Sequence, residues 1–335
     1  ELMRLGVNMP QHVEIAQAVL NLGSGRKQLP LLKEDAFAVL REFVESHPGL
    51  PAKPPPGPQR KGEPVMAVRD LEFSYVPGKP VLRGLNFEIQ QGEFVAIVGA
   101  NGSGKSTLTH NLTGLLRPDR GQVVVDGHDT KKTKVSDLVK NIGYVFQNPD
   151  HQLFTSTVEE EVGFSLKVHK VAAEEAERPI SKTLDIVELG GFRQRHPFSL
   201  SRGQRQKLAV ATALIHEPRI VLLDEPTTGQ DRRTLSGLLD LMVRLNEQGN
   251  TTIMVTHDMD IVAAYASRVI VMDDGRIVLD GRPEDIFYDH FEALNALKLR
   301  PPTVIDFCRR LEDKGLPRFL IADRLVEYLG QVGRG

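Results

Sequence analysis

Cysteine is nearly absent: Cys308 is the only one among 335 residues, so no disulfide can form within the chain, and the composition suits a reducing compartment. Neither sign of charge prevails. Forty-two Lys and Arg stand against 44 Asp and Glu, a formal net charge of -2, with acids and bases interspersed, which argues against a surface that coats nucleic acid. No apolar run nears the roughly 20 residues that a bilayer-spanning helix needs, and no signal sequence opens the chain. Attachment to a membrane is therefore expected to run through a partner. The 10 histidines show no metal-ligand spacing, and no structural zinc is expected.

What is present is concentrated in short motifs. Gly99-Ala100-Asn101-Gly102-Ser103-Gly104-Lys105-Ser106 spells G-x-x-x-x-G-K-S, directly after the apolar run Phe94-Val95-Ala96-Ile97-Val98 and before a helix-like stretch entered at Thr107. A strand ending at Gly99 would turn through small residues whose backbone N–H groups form an anion nest, backed by the partial positive charge of the next helix. These residues, Thr107 included, are expected to bind nucleotide. Lys105 would reach the β and γ phosphates and Ser106 would hold Mg2+. Ile220-Val221-Leu222-Leu223 reads as a fully buried strand, so Asp224 and Glu225 emerge at its C-terminal end, where ligands sit in open α/β sheets. Neighbours on a strand point to opposite sides, which divides the work: Asp224 for magnesium, Glu225 for polarising the attacking water.

Leu200-Ser201-Arg202-Gly203-Gln204 resembles the L-S-G-G-Q signature of ABC (ATP-binding cassette) ATPases, with Arg202 in place of the first glycine of the pair. Other matches follow in the family's order, and the resemblance spans residues 65 to 290. It implies that Tyr75 stacks on adenine, that Gln147 is the Q-loop glutamine reaching magnesium or water, and that Asp231 closes the D-loop. It further implies that His257 is the switch histidine at the γ phosphate. Ser201, Gly203 and Gln204 would contact ATP bound by an opposite cassette, since such cassettes work as head-to-tail pairs. The implied fold is α/β, a P-loop NTPase of the ABC type with an antiparallel β subdomain, a helical subdomain and a C-terminal helical tail.

A narrower resemblance lies at Gln147-Asn148-Pro149-Asp150-His151-Gln152-Leu153-Phe154, followed by Thr157-Val158-Glu159-Glu160-Glu161-Val162. It is similar to the ATPases of energy-coupling-factor (cobalt-type) importers, in which this segment lies beside the surface that receives a transmembrane subunit. The implied partners are a transmembrane coupling subunit and a substrate-binding membrane subunit, with no nucleic acid. The implied cargo is a vitamin or transition-metal ion, the cofactors are ATP and Mg2+, and the place is the cytoplasmic face of the membrane. A soluble cassette ATPase acting on ribosomes or nucleic-acid complexes is the alternative; the Asn148 to Phe154 segment favours transport.

The chain also shows an organisation that the motifs do not carry. Residues 48 to 64 are rich in proline and read as a semi-extended linker. On either side of the cassette lies a short repeat: Leu5, Val7, Pro10, Val13 and Glu14 match Leu297, Leu299, Pro302, Ile305 and Asp306 in spacing. The reading is a helical tail of a preceding cassette at 1–47, the linker at 48–64, the ATPase domain at 65–285 and a second helical tail at 286–335. Antiparallel strands are expected from Val65 to Ile89, a helical lobe from Thr157 to Arg195, alternating strand and helix after Ile220, and a hairpin at Asp273-Asp274-Gly275-Arg276.

Overall fold

The computed structural model describes residues 9–22, 29–47, 62–226 and 232–333. Asp231, residues 48–61 of the expected linker, and Leu5 and Val7 of the repeat lie outside the described residues. The described elements begin with α1 (Gln11–Asn21) and α2 (Lys33–Ser46), then β1 (Pro64–Phe73), β2 (Leu82–Gln90), β3 (Phe94–Gly99) and α3 (Lys105–Leu112). It continues through β4 (Arg120–Val125), β5 (His128–Asp129), α4 (Val135–Leu138), β6 (Ile142–Val145), α5 (Val158–Val168), α6 (Ala173–Ile186) and α7 (Arg202–Leu214). After β7 (Ile220–Asp224) come α8 (Arg232–Glu247), β8 (Thr251–Val255), α9 (Met259–Tyr265), β9 (Arg268–Asp273) and β10 (Arg276–Gly281). The helices α10 (Pro283–Asp289), α11 (Phe291–Ala296), α12 (Thr303–Arg310) and α13 (Ala322–Val332) close it.

Two compact units divide these elements: residues 60–257 with 267–280, and residues 1–59 with 258–266 and 281–335. The first contains both sheets. A six-stranded sheet runs β10-β9-β3-β8-β7-β6 and a four-stranded one β2-β1-β4-β5. The strands β3, β7 and β8 are buried along their whole length, as central parallel strands covered on both faces must be. Their register sets Leu222 beside Ile253 on one side and beside Tyr144 on the other. The smaller sheet is antiparallel in all its pairs. At the β9 to β10 hairpin, Asp274 and Gly275 both take left-handed backbone, the geometry that matches the twist of the flanking strands.

The helical lobe follows from strong caps. Thr157 accepts from the Glu160 amide to start α5, while Ser201 and Gln204 form a reciprocal capping box at the head of α7, satisfying donors that would otherwise be orphaned. The other compact unit is helical. In it α1 buries Val13, Ile15, Ala16 and Val19, and Phe37 of α2 meets Phe307 of α12 with ring centroids 5.4 Å apart.

Candidate functional site

The turn at residues 99–106, expected to bind phosphate, is shaped by the way β3 ends. A Cβ on Gly99 would lie 2.4 Å from the Met272 carbonyl oxygen and 2.5 Å from Ser103 Oγ, distances that only a missing side chain permits. Gly104 precedes α3 with φ +101° and has Leu82 within 3.0 Å of where its Cβ would stand, so glycine is required for both conformation and space. Asn101 and Gly102 are exposed, and Ser103 is buried with its hydroxyl unpartnered. Lys105 folds under the loop, where its Nζ donates to the carbonyls of Gly99 at 2.8 Å and Ala100 at 3.1 Å. Burial pushes the ammonium below the usual lysine value, while Glu225 and Asp224 pull it back up. Ser106 faces solvent on the first turn of α3, and buried Thr107 lies 3.3 Å from the Tyr75 hydroxyl. Tyr75 itself is 60% exposed, its ring set edge-on against Phe73.

The two acids at the end of β7 separate for a different reason from strand alternation. β7 stops at Asp224, and Glu225 has already left it with φ +46°, a left-handed conformation that costs a non-glycine residue about 1–2 kcal/mol. Such strain concentrates at functional sites. The Glu225 amide is held by the Val255 carbonyl of β8 at 2.8 Å, and its carboxylate accepts from His257 Nδ1 at 2.8 Å. Asp224 is only 6% exposed. Its Oδ2 accepts from the Tyr144 hydroxyl at 3.0 Å and lies 3.4 Å from Thr109 Oγ1, while its Oδ1 is buried without a hydrogen-bond partner. Burial raises its pKa, against the donation from Tyr144.

Lys105, Asp224, Glu225 and His257 thus form one cluster at the C-terminal edge of the parallel sheet. Gln147 is exposed just beyond β6. Ser201, Gly203 and Gln204 stand elsewhere, at the head of α7, where the Ser201 and Gln204 side chains are taken up by the capping box. Several residues without an expected role join these parts. Tyr144 and Thr109 converge on Asp224. Asp150, in a 3-10 turn over Pro149–His151, accepts from Arg205 of α7 at 2.6 Å. Gln152 donates to Ala209 at 3.1 Å and Thr212 at 2.6 Å, both also on α7. The buried Glu161 accepts from the amides of Phe154 and Thr155. Only their neighbourhood in the Gln147 to Val162 motif hinted at Asp150, Gln152 and Glu161; nothing local marks Thr109 or Tyr144.

A family model described as "ABC transporter" matches residues 82–228. An energy-coupling factor transporter ATP-binding protein of Methanocaldococcus jannaschii, EcfA, is 40% identical over 252 residues, which cover 75% of this chain and 90% of that one. A relative in Methanosarcina acetivorans is 40% identical over 341 residues, 98% of this chain but 55% of its own length. The chain spans about half the length of several curated relatives it matches. Among solved structures, cbiO1 of Clostridium perfringens, described as part of the ABC transporter complex cbiONQ, superimposes with a TM-score of 0.63 at 34% identity, covering 75% of this chain and 99% of that one. With a glycine-bounded turn after β3, two acids at the end of β7 and a capped α7 on one α/β frame, this chain belongs to the ATP-binding proteins of the ABC transporter family.

Proposed function

We propose that the chain is the ATPase of an energy-coupling-factor type importer, powering uptake of a vitamin or transition-metal ion through membrane-embedded partners at the cytoplasmic face. The observation that carries this reading is the segment Gln147 to Phe154. One end of it is tied to the signature helix through Asp150–Arg205 and Gln152. The other presents Phe154, 62% exposed and set edge-on against the partly exposed Phe164 of α5. An exposed apolar pair suits a partner helix, and a push there would be passed to Ser201 and Gly203. The likeness to EcfA and to cbiO1 supports the same reading.

In this reading the side chains divide the chemistry as follows. The Lys105 ammonium exchanges neutral backbone acceptors for charged β- and γ-phosphate oxygens, a gain in bond strength. The hydroxyl of Ser106, Asp224 Oδ1 and the Gln147 amide oxygen are all hard oxygen donors, and the buried orphan oxygen of Asp224 fits a divalent cation shell. When bound there, Mg2+ would neutralise phosphate charge as the leaving group departs. Glu225 takes the proton of the attacking water, and His257 holds its carboxylate in place while Tyr75 stacks on the base. In-line hydrolysis then removes the γ-phosphate contacts that bind this cassette to the signature motif of another.

That second cassette is proposed to belong to the same native polypeptide. Pro10 and Pro302, equivalent in the repeat, both stand immediately before a helix in the same extended backbone, with φ and ψ of -59° and 142° and of -50° and 146°. Helices at both ends of the chain therefore start alike. The reading is tested by purifying the full-length protein from detergent-solubilised native membranes and identifying its partners by mass spectrometry. A polytopic subunit together with a small substrate-binding membrane protein is the expected result; ribosomal or other soluble partners alone would overturn transport.

A further inference from the structure

Asp224 has two inequivalent oxygens, and one hydroxyl decides which is which. Thr109 has a single hydroxyl proton, and its better acceptor is the Ser106 carbonyl at 2.9 Å rather than Asp224 Oδ2 at 3.4 Å. Tyr144 is then the donor that holds Oδ2, at 3.0 Å. Its ring is steadied by Phe146, 4.6 Å away between centroids, and by His110 at 6.3 Å. Parallel register between β6 and β7 sets the Tyr144 backbone beside Leu222, two residues before Asp224. A phenol carries its proton at neutral pH, so it remains a donor. Oδ1 is left buried and unpartnered.

We propose that Tyr144 is a positioning residue for the magnesium site: its hydroxyl engages Asp224 Oδ2 and so presents Oδ1 to the cation shell. The proposal rests on reading Asp224 as the carboxylate of that site. A free carboxylate could rotate about its Cβ–Cγ bond and offer either oxygen; the phenol removes that freedom before nucleotide arrives. Groups that orient a metal's ligands typically change metal affinity 10- to 100-fold when lost.

The test is titration of Mg2+ into the purified chain with a fluorescent ATP analogue, comparing wild type with Tyr144→Phe, which keeps the ring and removes only the hydroxyl. The expected result is an unchanged analogue affinity in EDTA and a half-saturating Mg2+ concentration raised by about tenfold. An unaltered Mg2+ half-saturation in Tyr144→Phe overturns the positioning role. If Mg2+ fails to tighten binding in wild type, the reading of Asp224 itself falls. Thr109→Val serves as the second variant: a shift there equal to or larger than that of Tyr144→Phe would move the orienting role to Thr109. A purely packing role for Tyr144 would weaken the EDTA affinity and leave the Mg2+ dependence alone, which also refutes the proposal.

Discussion

At the scale of single residues the site holds groups whose environments conflict with fold stability. Asp224 is a carboxylate whose pKa burial raises, so the charged form is penalised in the folded protein and stability rises as the pH falls through its titration. Asp224→Asn keeps an oxygen for the Tyr144 hydroxyl and removes the charge. It should raise the thermal midpoint by a few degrees, on the order of 1 kcal/mol, while abolishing hydrolysis; scanning calorimetry beside a phosphate-release assay checks both. Glu225→Gln should reduce turnover by about 10²- to 10⁴-fold and leave ATP affinity intact. Equal turnover in the two proteins would remove Glu225 from the role of base. The sequence places these acids at the sheet edge because they follow an apolar strand directly. It does not reveal the left-handed φ of Glu225, which depends on the hydrogen bond from its amide to Val255 in another strand.

At the scale of elements, the loop after β6 and the helix α7 behave as one piece. Gln152→Leu removes two donations to α7 and one acceptance from the Phe146 amide. Leaving the Phe146 amide short of a partner should destabilise the protein by about 1–3 kcal/mol, measurable as a shift in the urea midpoint. Beneath the same lobe His216 Nε2 lies 2.7 Å from Ser165 Oγ, and its ring meets that of His169 edge-on at 5.2 Å. Burial, then the charges of His169 and Lys140, push His216 below its ordinary 6.5. The folded state takes up this proton less readily than the unfolded one. The stabilising contribution is therefore whole above that ordinary value and is lost as the pH falls through the lower folded one. His216→Gln should flatten the unfolding midpoint against pH below its ordinary value of 6.5; an unchanged slope would exclude His216 as its source. The start of this lobe at Thr157 is legible in the sequence, whereas the caps formed by Thr157 and Ser201 are findings of the structure. The fastening of Asp150 and Gln152 to α7 is not legible either, since it joins side chains more than fifty positions apart.

At the scale of the whole molecule, helices from both ends of the chain share one compact unit. Phe37 packs on Phe307 and lies under the Arg310 guanidinium at 3.5 Å, while Glu34 grips the same Arg310 through both carboxylate oxygens. Phe37→Ala should cost that unit about 3–5 kcal/mol and speed amide exchange in α12, leaving β3 protected; equal exchange in α12 would mean that α2 contributes little there. Sequence alone determined the buried central strands, the glycine-bounded turn at residues 99–106 and the acids at the end of β7. Each of these is written in consecutive residues, as apolar runs, glycines in a tight turn or acids directly after a strand. Tertiary structure alone decided which oxygen of Asp224 is free, through Tyr144 80 positions away, and that Glu34 meets Arg310 276 positions on. Such pairings arise only when separate elements pack, and no local pattern of residue types encodes which side chains will then meet.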